Sequence, residues 1–205
     1  MDKKVQGVLR AFEKRAEKES VRMRELSWAD MANHVDEFLL SVGPATGELI
    51  NLLAKEAESK VILEVGSSYG YSTVWLAEAA RETGGKVISL EIHEEKQKHA
   101  RASVEKAGLG GIVDFRLGDA RASLEKLKGS VDFVLLDLWK NFYIPCFDLF
   151  YPKLKPGALI VADNMTYPEE SRPHAEKYQK HIRKKGGIQS VLLNVGSGLE
   201  LTRYR

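Results

Sequence analysis

The sequence has little cysteine and no long apolar runs. Its single cysteine, Cys146, excludes an internal disulfide and is typical of a protein from a reducing compartment. No segment has the length and apolar character of a transmembrane helix or of the hydrophobic region of a signal peptide. We therefore expect a cytoplasmic protein without a membrane partner. The sequence also lacks internal repeats and low-complexity linkers, so residues 1–205 are predicted to form one domain.

The sequence also lacks an excess of charge of either sign. Lys and Arg total 31 and Asp and Glu total 29, which gives a formal net charge of +2. A protein that binds nucleic acid usually has a strongly basic surface. The charge balance therefore argues against a nucleic-acid partner.

The N-terminal region has helical periodicity. From about Val5 to Leu40, apolar residues recur at helical spacing between charged residues. Gly43-Pro44 breaks this pattern, and a second helix is predicted over 45–57. Residues 1–57 are therefore predicted to form a helical cap. This cap either folds over its own domain or pairs with a second subunit in a homodimer.

From about residue 58, short apolar runs alternate with helical segments. Such runs are typical of buried strands, and the alternation predicts an α/β fold with a mostly parallel, doubly wound, seven-stranded sheet over 58–205. Gly196-Ser-Gly198 separates the last two runs and predicts an antiparallel C-terminal hairpin. The predicted strands are 61–65, 86–90, 112–117, 131–136, 158–162, 188–195 and 199–204.

A glycine-rich turn, Glu64-Val-Gly66-Ser-Ser-Tyr-Gly70-Tyr71-Ser72, follows the first predicted strand. Glycine allows a sharp turn and close approach to a ligand, and the next helix N-terminus favours an anionic group such as a carboxylate. The spacing differs from the Gly-x-Gly-x-x-Gly of dinucleotide sites, and Glu64 would repel a phosphate and attract an ammonium. The turn therefore favours an amino-acid group over a pyrophosphate.

Two further segments complete a candidate nucleoside site. Glu91 ends the second predicted strand, where a carboxylate can accept hydrogen bonds from ribose hydroxyls. Gly118-Asp119-Ala120 ends the third, where an adenine edge would lie. S-adenosylmethionine fits all these features, whereas NAD fits only the ribose position. Each residue taken singly is also explained by a structural role in a turn.

Two acidic segments, Asp137-Leu-Trp139-Lys140 and Asp163-Asn164, directly follow the fourth and fifth predicted strands. The carboxyl ends of parallel strands meet at one edge, where open α/β folds bind ligands. Carboxylate and amide oxygens suit a hard divalent cation such as Mg²⁺, and a lysine beside them suggests proton transfer. In the alternative interpretation, the aspartates cap helices and Lys140 is a solvated surface group.

Together these segments resemble those of the cation-dependent class I S-adenosylmethionine O-methyltransferases, which include catechol and caffeoyl-CoA O-methyltransferases. The resemblance runs from about Val35 to the C-terminus. It implies a Rossmann-like methyltransferase fold and methyl transfer to a hydroxyl of a small catechol-type or other vicinal-dihydroxy aromatic acceptor. The motifs that carry it are Val42-Gly43, Leu63-Glu64-x-Gly66, Gly70-Tyr71-Ser72, Asp137-x-Trp139-Lys140, Ala162-Asp163-Asn164 and Gly198-Leu199-x-Leu-x-Arg203.

The resemblance also implies roles for individual residues, with Lys140 as the general base. The implied ligands of the divalent cation, expected to be Mg²⁺, are Asp137, Asp163 and Asn164. The implied contacts of S-adenosylmethionine are Val42, Glu64, Gly66, Tyr71, Ser72, Glu91, Ile92, Asp119, Ala120, Asp137 and Trp139. The implied acceptor contacts are Phe38, Leu40, Trp139, Lys140, Tyr143, Asn164 and Pro168.

The sequence departs from the catechol enzyme mainly in the acceptor region. That enzyme has a glutamate just before its last hairpin turn, whereas Gln189–Asn194 contains no carboxylate. Its tryptophan and methionine gatekeepers correspond to Phe38 and Leu40, and its adenine-contacting Ser-Gln pair corresponds to Ala120-Arg121. The identity of the acceptor is therefore open.

Two other functions are also open. One is a nicotinamide-dependent oxidoreductase, against which the Gly-x-x-x-Gly spacing and Glu64 argue. The other is a catalytically silent domain that binds the cofactor or a partner. The intact set of Asp137, Lys140 and Asp163-Asn164 argues against a silent domain.

Overall fold

The structure, a computed structural model, describes residues 1–25 and 37–205. The helices are α1 (Lys3–Glu25), α2 (Pro44–Glu56), α3 (Tyr71–Thr83), α4 (Glu94–Lys106), α5 (Ala120–Glu125), α6 (Tyr143–Phe150) and α7 (Arg172–Ile182). The strands are β1 (Val61–Val65), β2 (Lys86–Glu91), β3 (Val113–Leu117), β4 (Val131–Leu136), β5 (Leu154–Ala162), β6 (Ile188–Leu193) and β7 (Leu199–Tyr204).

All seven strands form one sheet in the order β3-β2-β1-β4-β5-β7-β6. Strands β1 to β5 run parallel to one another, whereas β7 is antiparallel to both β5 and β6. Strands β2 and β3 follow β1 on one side of the sheet, and β4 and β5 lie on its other side, so the strand order changes direction between β1 and β4. Open α/β sheets bind ligands at such a point. The predicted mostly parallel sheet with an antiparallel C-terminal hairpin is confirmed.

The central strands are buried on both faces, which explains their continuous apolar sequences. In β1 the side chains of Ile62, Leu63 and Val65 are inaccessible to solvent. Ile62 belongs to a core that includes α1, α2 and α3, and Leu63 to a second core that includes α6 and α7. Burial of each such side chain contributes roughly 1.5–3 kcal/mol to folding.

Helix α1 packs on its own chain. Its residues Val5, Val8, Leu9 and Phe12 are buried in the same core as α3. Within the described part of the chain, the N-terminal cap therefore covers the domain to which it belongs. No helix there combines the length and the hydropathy needed to cross a membrane.

Several predicted boundaries are wrong. The predicted helix 5–40 does not reach its predicted end, because residues 37–40 are not α-helical and Leu40 has a φ of 44°. Strand β5 begins earlier than predicted, at Leu154, and pairs with β4 through a register irregularity. Trp28 and Met31, for which the sequence favours core packing, lie outside the described residues.

Candidate active site

The carboxyl edge of the sheet carries a small cavity between two chain segments. One wall is formed by residues 39–42 and the other by 66–69 of the glycine-rich turn, with Tyr71 and Ser72 at the start of α3. Asp137, which directly follows β4, completes the lining. The structure thus brings together Val42, Gly66, Tyr71, Ser72 and Asp137, all predicted to contact the cofactor.

Gly66 allows the glycine-rich turn to lie against the end of β4. Its φ is 95°, and a Cβ at this position would lie only 2.0 Å from the carbonyl oxygen of Asp137. Any side chain here would force the turn away from β4. The close approach therefore fixes the distance between the cofactor turn and the first acidic segment.

Glu64 lies beneath the turn, not in the cavity. Its carboxylate is fully buried and accepts hydrogen bonds from the hydroxyls of Ser72 (2.7 Å), Thr73 (2.7 Å) and Ser89 (2.6 Å). Burial raises the pKa of Glu64 from 4.5 to about 7. In this arrangement Glu64 fixes the start of α3 to β1 and β2, so it supports the predicted cofactor site from below.

Glu91 is held at the end of β2 by backbone groups. Its two carboxylate oxygens accept hydrogen bonds from the N–H groups of Ser68 (2.7 Å), Ile92 (2.8 Å) and His93 (2.9 Å). The side chain is mostly buried, whereas that of Ile92 is 62% exposed. Glu91 is therefore oriented at the rim of the edge where a ribose was predicted.

Asp119 and Ala120 lie at the next strand end. Asp119 caps α5 by accepting a hydrogen bond from the backbone N–H of Arg121, whose guanidinium also pairs with the carboxylate. These hydrogen bonds to Arg121 lower the pKa of Asp119. The side chains of Asp119 and Arg121 are 42% and 47% exposed, and Ala120 is half-buried. The predicted adenine end of the site therefore opens to solvent.

The two acidic segments lie side by side because their backbones continue adjacent strands. The N–H of Asp137 donates to Val65 in β1, and the N–H of Asp163 donates to Leu136 in β4. Asn164, with a φ of 55°, turns the chain immediately afterwards, and its N–H donates to the Asp163 carboxylate (2.7 Å). The predicted convergence of Asp137, Asp163 and Asn164 is therefore observed.

Lys140 extends its ammonium group into this acidic edge. Its Nζ donates to Asn164 Oδ1 (2.9 Å), to the Tyr143 hydroxyl (2.6 Å) and to the carbonyl of Leu138 (3.2 Å). It lies 3.8 Å from Asp137 Oδ1, and its side chain is only 10% exposed. The interpretation of Lys140 as a solvated surface group is wrong.

Burial shifts the pKa values of the charged groups at this edge. Burial raises the pKa of Asp137, and burial together with the charge of Asp137 raises the pKa of Asp163 to about 7. Burial lowers the pKa of Lys140. A cation among these oxygens would stabilise the charged carboxylates of Asp137 and Asp163 and so oppose the effect of burial on their pKa values.

The donor set fits a hard cation. The described residues contain no group of three His, Cys, Asp or Glu side chains placed to hold a metal. The amide oxygen of Asn164 would supply a third oxygen donor beside the carboxylates of Asp137 and Asp163, and the Lys140 ammonium contacts Asn164 Oδ1 and lies 3.8 Å from Asp137 Oδ1. Oxygen donors of this kind suit Mg²⁺.

The predicted acceptor residues divide into exposed and buried groups. The side chains of Trp139 and Leu40 are 57% and 44% exposed, and Pro168 is half-buried. Phe38 and Tyr143 are buried, and the Tyr143 hydroxyl donates to the carbonyl oxygen of Asp163 (3.1 Å). In this structure Trp139 and Leu40 are exposed enough to border an acceptor, whereas the buried Tyr143 accepts a hydrogen bond from Lys140.

Sequence reasoning missed several supporting residues. Thr73 and Ser89 bond to Glu64, and Glu13 of α1 accepts a hydrogen bond from the Tyr71 hydroxyl (3.0 Å). Ser89 is a lone hydroxyl within the apolar run of β2, which indicates a buried polar partner. Glu13 has no such signal, because charged residues surround it throughout α1.

Comparison with known proteins places this chain in a family of enzymes. A family model described as O-methyltransferase matches residues 13–205. The chain therefore belongs to the O-methyltransferase family. The family predicted from the sequence motifs is confirmed.

Individual relatives agree with this assignment. The chain is 36% identical over 130 residues to a catechol O-methyltransferase of Niastella koreensis, covering 62% of this chain but only 58% of that relative. It is 30% identical to a caffeoyl-CoA O-methyltransferase of Petroselinum crispum, covering 80% and 77% of the two chains. The crystal structure of an O-methyltransferase from Bacillus cereus in complex with SAH has a TM-score of 0.77 at 25% identity and covers 100% of this chain and 92% of that one.

Proposed function

We propose that this protein transfers the methyl group of S-adenosylmethionine to a hydroxyl of a small catechol-type or other vicinal-dihydroxy aromatic acceptor, with a divalent cation. The observation that carries this proposal is the position of Asp137. Asp137 lines the predicted cofactor cavity and also pairs with Lys140 at the acidic edge. One residue would thus join the proposed site for the methyl donor to the proposed site for the acceptor.

The cofactor half would hold S-adenosylmethionine in two parts. Val42, Gly66 and Ser72 border the enclosed cavity, which suits the amino-acid tail at the start of α3. Glu91 would accept hydrogen bonds from the ribose at the rim, and Asp119-Ala120 would border the adenine. SAH is bound in the Bacillus cereus relative, which supports the same class of ligand here.

The acidic half would hold the cation. Asp137, Asp163 and Asn164 are its candidate ligands, and Mg²⁺ is the expected ion. When bound, the cation would act as a Lewis acid on the acceptor oxygen and orient the acceptor. These ligand roles remain predictions.

Lys140 would remove the proton from the acceptor hydroxyl. Because burial lowers its pKa, a larger neutral fraction is available to accept a proton near neutral pH. The acceptor oxygen forms a bond to the methyl carbon as the carbon–sulfur bond breaks, and S-adenosylhomocysteine leaves. The chain's main contribution is to hold the two reactants in line, which can lower a barrier by about 7–11 kcal/mol.

A methyl-transfer assay over catechols, hydroxycinnamates and flavonoids, with and without Mg²⁺, tests this proposal. We expect turnover of at least one vicinal-dihydroxy acceptor, with loss of turnover in EDTA. Thermal shift with S-adenosylmethionine and NAD separates the methyltransferase from the oxidoreductase alternative, because a ligand of the native state raises its stability. Stabilisation by NAD alone would refute the proposal.

A further inference from the structure

A short segment over residues 37–42, here called the strap, contacts both α1 and the glycine-rich turn. Residues 39–42 of the strap form one wall of the cofactor cavity. The strap carries Val42, predicted to contact the cofactor, and Phe38 and Leu40, predicted to contact the acceptor. Its position therefore affects both halves of the proposed site.

The middle of the strap is fixed by hydrogen bonds on both sides. The N–H of Leu39 donates to Glu19 Oε2 of α1 (2.7 Å), and the Leu39 carbonyl accepts from the hydroxyl of Ser68 (3.2 Å). Leu39 is 2% exposed, so its N–H depends on a protein acceptor. Glu19 thus connects the N-terminal helix to the wall of the cavity.

Arg15 holds Glu19 in place. Its Nε donates to Glu19 Oε1 (2.6 Å), and its guanidinium also donates to the carbonyl oxygen of Glu37 (3.2 Å). The same guanidinium lies 4.0 Å from the ring centroid of Tyr69 in the glycine-rich turn. Arg15 and Glu19 therefore bind the strap and the turn to one face of α1.

The cavity lies directly beside the strap. Residues 39–42 line it on one side, and residues 66–69 of the glycine-rich turn line it on the other. A ligand in this cavity would therefore contact the strap. The hydrogen bond from Leu39 to Glu19 holds the segment that forms this wall.

We propose that Glu19 is a positioning residue that holds the strap over bound S-adenosylmethionine and slows its release. This inference rests on the proposed function, because it requires that the cavity binds the cofactor. Closely related binding sites differ mainly in their dissociation rates. Loss of the Glu19 contact should therefore weaken cofactor binding through faster dissociation.

The test measures release of radiolabelled S-adenosylmethionine after a chase with unlabelled ligand. Glu19→Ala should dissociate about tenfold faster, as expected for the loss of one hydrogen bond to a charged group. Glu19→Gln keeps one oxygen acceptor for the Leu39 N–H but loses the second acceptor for Arg15, so its dissociation rate should lie between those of the parent and Glu19→Ala. Glu17→Ala removes an exposed carboxylate from the same helix and should stay within about twofold of the parent.

The outcomes separate this inference from the proposed function. A parent protein that binds no S-adenosylmethionine would refute both. If the parent binds but Glu19→Ala releases the ligand at the parent's rate, only the role of Glu19 is refuted. Equal acceleration in Glu19→Gln and Glu19→Ala would also refute it, because the acceptor for Leu39 would then be irrelevant.

Discussion

The two halves of the proposed site hold their carboxylates in different ways. In the cofactor half, Glu64 accepts hydrogen bonds from three hydroxyls and Glu91 from three backbone N–H groups. In the acidic half, the described residues give the Asp137 carboxylate only an ion pair with Lys140, and give Asp163 the N–H of Asn164. The protein itself thus supplies three hydrogen-bond donors to each carboxylate of the cofactor half, but far fewer to those of the acidic half.

This difference supports a structural role for Glu64 and a ligand-binding role for Asp137 and Asp163. A buried carboxylate without donors is costly, so a fold retains one chiefly where another group completes it. Glu64 is complete without any ligand, and it stabilises the turn. Among the described residues, Asp163 accepts one N–H hydrogen bond and Asp137 has only its ion pair with Lys140, which supports the proposal that a cation belongs between them.

The largest expected effect comes from the acidic half. Asp137→Ala or Asp163→Ala should lower cation-dependent turnover about a thousandfold or more, because loss of a metal ion's charge stabilisation costs several kcal/mol. The fold should survive Asp137→Ala, since the contact with Gly66 involves the backbone carbonyl. Turnover and circular dichroism measure the two effects. Asp114→Ala, at an exposed carboxylate of β3, is the control; full activity of either site variant in EDTA would contradict the assignment.

Replacement of Lys140 tests the proton transfer. Lys140→Ala should retain cofactor binding and lose about 100- to 10,000-fold in rate. Because burial places the pKa of Lys140 below 10.5, the parent's rate should rise with pH as the ammonium loses its proton. The variant should lack this rising limb. A rate at neutral pH equal to that of the parent would place the base elsewhere.

In the cofactor half, the buried Glu64 should make the stability of the protein depend on pH. The pKa of Glu64 is about 7 in the folded protein against 4.5 ordinarily. The folded state thus binds the Glu64 proton more tightly than the unfolded state does. The resulting contribution to the free energy of unfolding is fully present below pH 4.5 and is lost as pH rises through about 7. Glu64→Gln should remove up to about 3 kcal/mol of this dependence.

Urea unfolding of both proteins between about pH 5 and pH 8 measures that dependence. The free energy of unfolding of the parent should fall more steeply with rising pH than that of the variant. Parallel curves for parent and variant would show that burial does not raise the pKa of Glu64.

The smallest effect is expected at Glu91. Glu91→Ala should weaken S-adenosylmethionine about tenfold, the effect of one lost hydrogen bond to a charged group. The rate at saturating cofactor should change little, because Glu91 lies at the rim and away from Lys140. Isothermal titration and a comparison of KM with kcat would check this. A large fall in kcat with unchanged KM would contradict a binding role.

The apolar runs predicted the sheet well because the central strands are buried on both faces. The run before Asp137 and the run before Asp163 indicated which residues would meet at the edge, and they do. Helix ends and the strap were not predictable in this way. Residues 39–42 owe their position to Glu19 and Ser68, which are distant in sequence.

Side-chain direction was the least predictable property of the site. Glu64 was predicted to face the ligand, but its donors Thr73 and Ser89 come from other elements and draw the carboxylate beneath the turn. Tyr143 was predicted to contact the acceptor, but its ring is buried and its hydroxyl joins Lys140 to the backbone of Asp163. The lone hydroxyl of Ser89 in β2 indicates a buried polar partner but does not identify Glu64 as that partner, and the contacts of Tyr143 have no local pattern in the sequence.

Titration of Mg²⁺ into the S-adenosylmethionine-loaded protein tests the central claim most directly. If the acidic edge is a cation site, calorimetry should show one Mg²⁺ bound per chain, and Asp163→Ala should abolish the binding. The Asp114→Ala control should bind as the parent does. Absence of Mg²⁺ binding in the parent, or equal binding in Asp163→Ala, would contradict the account.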